Sequence, residues 1–391
     1  MTIIDWRDLY AQNRAAIQRS GVSLPELHVP APLGGLPGPP TGGLRPAWPD
    51  GSRPVHGTDA HGDERTFTVG GRARRALVHV PAGAGVETAA PLVCLLHGCT
   101  QDPASFAAAT QIAAAADRNG FVAVLPGQDR ADNQLRCWNW FAPEQQRRGS
   151  GEPAAIAGII GQMIGDTQLR IDPRRVFVCG LSSGGAMASI LAATYPDIFA
   201  AAAIHSGLAY GSASDVGSAY SAMASGAPDP GAQARAAHAA MGPRARAVPT
   251  LVIHGSADRT VAPVNADHVL RQAMATNRLA APECATLDEH HPASVSDGRA
   301  DGGLTYRSAR WRDSRGALVH ELLLVDGLGH AWSGGRAGGS HTDPRGPDAT
   351  DAIVRFFAEA TEDRRRLAER TPAPLHPGDA ADEAVDPRRR G

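Results

Sequence analysis

The apolar run Val176-Phe177-Val178-Cys179 passes directly into Gly180-Leu181-Ser182-Ser183-Gly184 and then into an alanine-rich stretch. Buried strand, small-residue turn around a serine, then helix: that order forces a sharp bend, which lifts the Ser182 hydroxyl above the edge of a sheet. Flanking glycines suit it because larger side chains would collide in so tight a turn. The same bend aims the Ser183 amide and the positive end of the following helix at one point. A Gly-x-Ser-x-Gly string alone arises by chance in a chain with 44 glycines. The weight therefore rests on what surrounds it.

Around this turn, strand and helix signals alternate for about 300 residues. Arg65–Val69 and Ala76–Val80, joined through Gly70-Gly71, read as a hairpin. Pro91–Gly98 and Phe121–Pro126 are continuously apolar, as strands buried on both faces are. Further strands are expected at Val176–Cys179, Ala200–His205, Thr250–His254 and Val319–Val325, and helices over Phe106–Arg118 and Asp348–Arg366. This alternation predicts an α/β fold: a mostly parallel, doubly wound sheet with helices on both faces. Residues 212–246 read as a small helical cap or a plain surface excursion, and residues 282–303 as a polar insertion.

Three segments are expected. Residues 1–64 form a short amphipathic helix followed by a Pro/Gly-rich arm, 65–368 a single catalytic domain, and 369–391 a disordered tail. A formal net charge of −2 excludes a nucleic-acid protein driven by clustered basic residues. No apolar stretch is long enough for a transmembrane helix. The first 21 residues lack the apolar centre of a secretory signal, which predicts a cytoplasmic chain with reduced thiols.

A serine nucleophile needs a base, and the base needs an orienting carboxylate. In this architecture they follow the serine in the order Asp or Glu, then His, each just past a strand end. After Leu251-Val252-Ile253-His254 comes Gly255-Ser256-Ala257-Asp258, and after Leu322-Leu323-Leu324-Val325 comes Asp326-Gly327-Leu328-Gly329-His330. Asp258 and His330 are thus the expected partners of Ser182. Asp326 is a rival orienter only four residues before His330. Of the fifteen histidines, His97, His205 and His254 end apolar strands and suit structural roles, and His290-His291 suit solvent. Acyl transfer also needs amide donors for the oxyanion; Ser183 N–H and Cys99 N–H, in the loop after the first buried strand, are the candidates.

Four motifs in order, Leu96-His97-Gly98-Cys99-Thr100-Gln101, Cys137-Trp138-Asn139-Trp140-Phe141, Gly180-Leu181-Ser182-Ser183-Gly184-Gly185 and Gly329-His330-Ala331-Trp332, give the chain a resemblance to a known family. It resembles the polyhydroxybutyrate-depolymerase esterases, which are α/β-hydrolases, from about Phe67 to Phe357. The resemblance implies a serine esterase with the triad Ser182, Asp258 and His330 and an oxyanion hole at Cys99 and Ser183. The implied substrates are short-chain polyhydroxyalkanoate or its oligomers, with feruloyl or acetyl-xylan esters on polysaccharide as the alternative. A catalytically silent polymer-binding module and a redox role for Cys99 and Cys137 are the rivals outside that class. No metal or organic cofactor is implied. The resemblance also implies that Cys99 and Cys137 pair as a disulfide, against two free thiols, and that the protein is exported, against the missing signal. Trp138, Trp140 and Trp332 flank the motifs and are expected to line an acyl or sugar cleft, with core packing the alternative.

Overall fold

The computed structural model describes residues 62–370, apart from 228 and 302. The helix and arm expected before residue 62 and the tail expected after 370 lie outside the described residues. The first strands are β1 (Asp63–Val69) and β2 (Arg72–His79), then β3 (Ala90–Leu96). Helices α1 (Pro103–Thr110) and α2 (Ile112–Asn119) lead to β4 (Val122–Pro126), α3 (Gly151–Gly165), β5 (Ile171–Leu181) and α4 (Ser183–Thr194). Next come β6 (Ala201–His205), α5 (Val216–Ser225), α6 (Pro230–Met241), β7 (Thr250–Gly255) and α7 (Val264–Ala280). The chain continues through β8 (Ser294–Arg299), β9 (Thr305–Arg312), β10 (Leu318–Val325), β11 (Trp332–Ser333), β12 (Thr342–Asp343) and α8 (Ala349–Arg370).

Ten strands form one sheet in the order β1-β2-β4-β3-β5-β6-β7-β10-β9-β8. The six central strands, from β4 to β10, run parallel, and antiparallel hairpins close both ends. All residues of β3 and of β10 are buried, as their apolar runs require. Alternate residues feed two cores. Leu92, Cys94, Leu96, Val176 and Val178 face one side with α3, α4, α6 and α7. Val93, Leu95, Phe177 and Cys179 face the other with α1, α2 and α8, where Phe177 stacks on Phe357 at 4.6 Å. Cys94 and Cys179 are free, buried core residues.

Strand order positions the site. The chain passes from β3 to β4 in one direction, then crosses back over β3 to β5 and onward. In open α/β sheets a crevice forms at the carboxyl ends where the direction reverses, here between β3 and β5.

Two sequence expectations are corrected. The helix over Phe106–Arg118 is two helices, broken at Gln111, whose φ is 56°. The Thr110 carbonyl there accepts the Thr350 hydroxyl at 2.7 Å, which ties the break to α8. The polar insertion at 282–303 contains an edge strand, β8, paired with β9. Its residues are nearly all exposed, so it has no apolar face for a periodicity to reveal. The excursion at 212–246 folds as α5 and α6, and α6 packs on α4 and α7 in the helical layer.

Candidate active site

Leu181 closes β5, and Ser182 takes φ 58°, ψ −119° before α4 begins at Ser183. A non-glycine residue held there costs on the order of 1–3 kcal/mol, which the surroundings must offset. They do so from both flanks. Ser182 N–H donates to His205 O at 2.9 Å, and Ser182 O accepts from Ala186 N–H at 2.9 Å. Glycine is required at 180 and 184 by close approach: a Cβ at Gly184 would collide with the Leu96 carbonyl, and one at Gly180 with the Gly184 backbone.

The loop after β3 lies against this turn, so that a Cβ on Gly98 would stand 3.5 Å from that of Ser182. Gly98 N–H donates to Gln101 Oε1 at 2.9 Å and Thr100 N–H to Leu135 O at 2.6 Å. Among the described residues no acceptor takes the Cys99 N–H between them. Cys99 is disulfide-bonded to Cys137, 38 residues on, and the Ser183 hydroxyl lies 3.5 Å from its sulfur. Below the loop, His97 Nε2 accepts from Gln128 N–H at 3.1 Å, which leaves Nδ1 to donate to Gly98 O at 2.8 Å. Gln128 in turn donates to buried Glu152, which also takes two N–H groups of Asn139. Burial raises the Glu152 carboxyl, against those hydrogen bonds.

Asp258 and His330 come together from the ends of neighbouring parallel strands, β7 and β10. His330 Nδ1 donates to Asp258 Oδ2 at 2.7 Å. Asp258 Oδ1 accepts from Thr260 and Val261 N–H, both at 2.9 Å. Burial opposes the Asp258 charge, but the His330 hydrogen bond and its neighbours prevail and hold the carboxyl below its ordinary range. Asp326 turns elsewhere, accepting the Ser256 hydroxyl at 3.0 Å.

Sequence reasoning missed the residues that fasten these pieces together. His205 holds Ser182 through its carbonyl, and its Nε2 accepts from Ser333 N–H at 3.1 Å, three residues past His330. Gln101 Nε2 donates to Ser340 O at 2.9 Å, joining the β3 loop to the loop after β11. Gln101 closes the motif that runs from Leu96, but nothing in the sequence marks its partner 239 residues away.

The tryptophan cleft is corrected. Trp138, Trp140 and Trp332 are 3%, 6% and 1% exposed. Trp138 Nε1 donates to His97 O and Trp332 Nε1 to Thr350 Oγ1, while Trp332 stacks on His205 at 5.0 Å. With faces packed and two of the three N–H groups satisfied inside, they brace the loops and present no platform to a ligand.

The buried histidines set the acid response. Burial, with the neighbouring histidines, lowers His205 from 6.5 to about 3, and burial likewise lowers His97 and His254 and takes His320 to about 3. Each is neutral in the fold and gains a proton on unfolding. Stability is therefore full above about pH 6.5 and falls as pH drops toward 3. Each contributes a slope of up to roughly 1.4 kcal/mol per pH unit. Denaturant midpoints should be clearly lower at pH 5 than at pH 7.5; equal midpoints would refute neutral burial.

The sheet and the turn at Ser182 define an α/β-hydrolase, and the fold of the acetyl xylan esterase from Aspergillus awamori matches it. That chain is covered in full and this one over 76%, with a TM-score of 0.58 and 21% identity. The family model for the esterase PHB depolymerases matches residues 75–287, and the chain belongs to that family of carboxylic ester hydrolases. Among curated relatives, poly(3-hydroxyalkanoate) depolymerase C of Paucimonas lemoignei is 33% identical over 259 residues, 64% of this chain and 57% of that protein. Feruloyl esterase B of Thermothelomyces thermophilus is 35% identical over 136 residues, 34% of this chain and 45% of that protein. The chain thus spans about half the length of these relatives.

Proposed function

We propose that the chain is a serine esterase that cleaves short-chain polyhydroxyalkanoate, polyhydroxybutyrate or their oligomers. The observation that carries this is the 2.7 Å bond from His330 Nδ1 to Asp258 Oδ2. It commits the ring proton to Nδ1 and leaves the Nε2 lone pair to act as base. Ser182 Oγ attacks the ester carbonyl while His330 Nε2 takes its proton. The Cys99 and Ser183 amides receive the oxyanion, each worth roughly 3–4 kcal/mol in such sites. Collapse expels the alcohol, protonated by His330, and leaves an acyl-serine. Water, deprotonated by the same imidazole, then releases the acid and restores the serine.

The polyester reading is supported by a relative that aligns with 64% of this chain, the Paucimonas lemoignei depolymerase. Feruloyl or acetyl-xylan esters are the second reading, the feruloyl half of it supported by the Thermothelomyces thermophilus relative. Rates on hydroxybutyrate oligomers, methyl ferulate and acetylated xylan separate the two: faster turnover of the oligomers is expected, and preference for either of the others would reverse the assignment. An organophosphate that fails to label Ser182 would favour a silent binding module instead.

The Cys99–Cys137 disulfide closes a long loop beside the proposed oxyanion site. Such a link contributes about 2–4 kcal/mol. Reductant is expected to lower both Tm and kcat, as the loop carrying the Cys99 amide loosens. An unchanged kcat in the fully reduced protein would remove that amide from the mechanism.

A further inference from the structure

A cavity of about 380 Å³ opens on the carboxyl rim between β2 and the end of β4. Its size falls within the range of small-molecule sites. Five arginines are among the residues that line it, Arg72, Arg74, Arg75, Arg130 and Arg136; Arg75 pairs with Glu64 at 3.8 Å and Arg136 with Asp102 at 3.2 Å. Against them stand Glu64, Asp102 and Asp129 in the wall, and Asp132, which bonds both Arg72 (2.8 Å) and Arg74 (2.6 Å). Five positive charges against four negative leave an excess of one, the charge that a single carboxylate would balance.

One free donor for that carboxylate is present. Arg74 does not supply it, since its Nη1 is taken by Asp132 and its Nε is buried away from solvent. Arg130 is exposed and, among the described residues, in no ion pair. A guanidinium presents its N–H groups as a planar fork that matches a carboxylate.

The cavity also adjoins the site. Asp102 in its wall directly follows Gln101, and Gln128, also in the wall, donates to His97 beneath the Cys99 loop. β4 is two strands from β5, so the end of β4 stands ~10 Å from the Ser182 turn. That span suits a short chain with one ester at Ser182 and its far end in the cavity.

We propose that this arginine cavity binds the terminal carboxylate of an oligoester whose ester bond lies at Ser182. The proposal rests on the polyester reading above. Of the two ends of a hydroxyacid oligomer, one is a neutral hydroxyl and the other an anion at neutral pH. Each cleavage also creates a new carboxylate end, so the cavity would favour soluble oligomers over an uncharged polymer surface.

The test is calorimetric binding of 3-hydroxybutyrate trimer to the full chain carrying Ser182→Ala, comparing the free acid with its methyl ester. The acid should bind about 10-fold more tightly. Adding Arg130→Gln should remove most of that advantage and leave the methyl ester affinity unchanged. Equal affinity for acid and ester, no binding of either, or an advantage that survives Arg130→Gln would overturn the proposal. The esterase reading is judged separately, on p-nitrophenyl butyrate and the Ser182-intact protein. A chain that hydrolyses that ester but fails the binding test loses only the cavity; one that binds but never hydrolyses loses only the esterase reading.

Discussion

Replacing Ser182 by alanine is expected to lower kcat on p-nitrophenyl butyrate by about a million-fold, while Tm moves by no more than a degree or two. The size follows from the role: without the hydroxyl no acyl-enzyme forms, and binding and amide donors alone give only a small residue of the rate. The small effect on stability follows from geometry. The bonds that hold residue 182 run through its backbone, to His205 O and from Ala186 N–H, and alanine keeps both. Alanine at φ 58° also carries much the same strain as serine. A variant with substantial turnover, titrated to exclude contaminating esterase, would remove Ser182 from the chemistry.

Asp258→Asn should cost about 10⁴-fold in kcat with the fold intact. Asp258 Oδ1 takes two backbone N–H groups, from Thr260 and Val261, so the asparagine carbonyl oxygen is bound to that side. Its NH₂ then faces His330 Nδ1, where Oδ2 had accepted a hydrogen bond. Two donors cannot share that contact, so the ring proton moves to Nε2 and the lone pair that would accept from Ser182 is lost. Activity should recover partly at high pH, where hydroxide replaces the base. Loss of less than about tenfold would mean that another group orients the imidazole; Asp326, bonded to Ser256, is not placed to do so.

Much of the central fold was legible because each central strand is short, apolar and buried on both faces, as β3 and β10 are. The elbow, Asp258 and His330 were legible because each follows such a strand directly. What escaped lacked a local signal. β8 is exposed on nearly every residue and is held only by its pairing with β9. The break at Gln111 lies inside an otherwise helical alanine-rich segment and depends on Thr350, far along the chain. The tryptophans misled because sequence places an aromatic beside a motif without saying which way its ring turns; Trp332 turns inward onto His205. His205 itself looked like the end of a strand, and its two hydrogen bonds exist only once β5, β6 and the segment at Ser333 are assembled.

The hydrogen bond from Gln101 to Ser340 bears on anyone who would reshape this catalyst. Two stretches encoded far apart share a single rivet, so neither can drift or be grafted alone without unseating the other. Libraries that randomise position 101 lose this tie, worth about 1 kcal/mol, in most of their members. The acceptor is a main-chain carbonyl, so the side chain at 340 can vary freely while that at 101 cannot, and transplanting both stretches together is the economical route to new specificities.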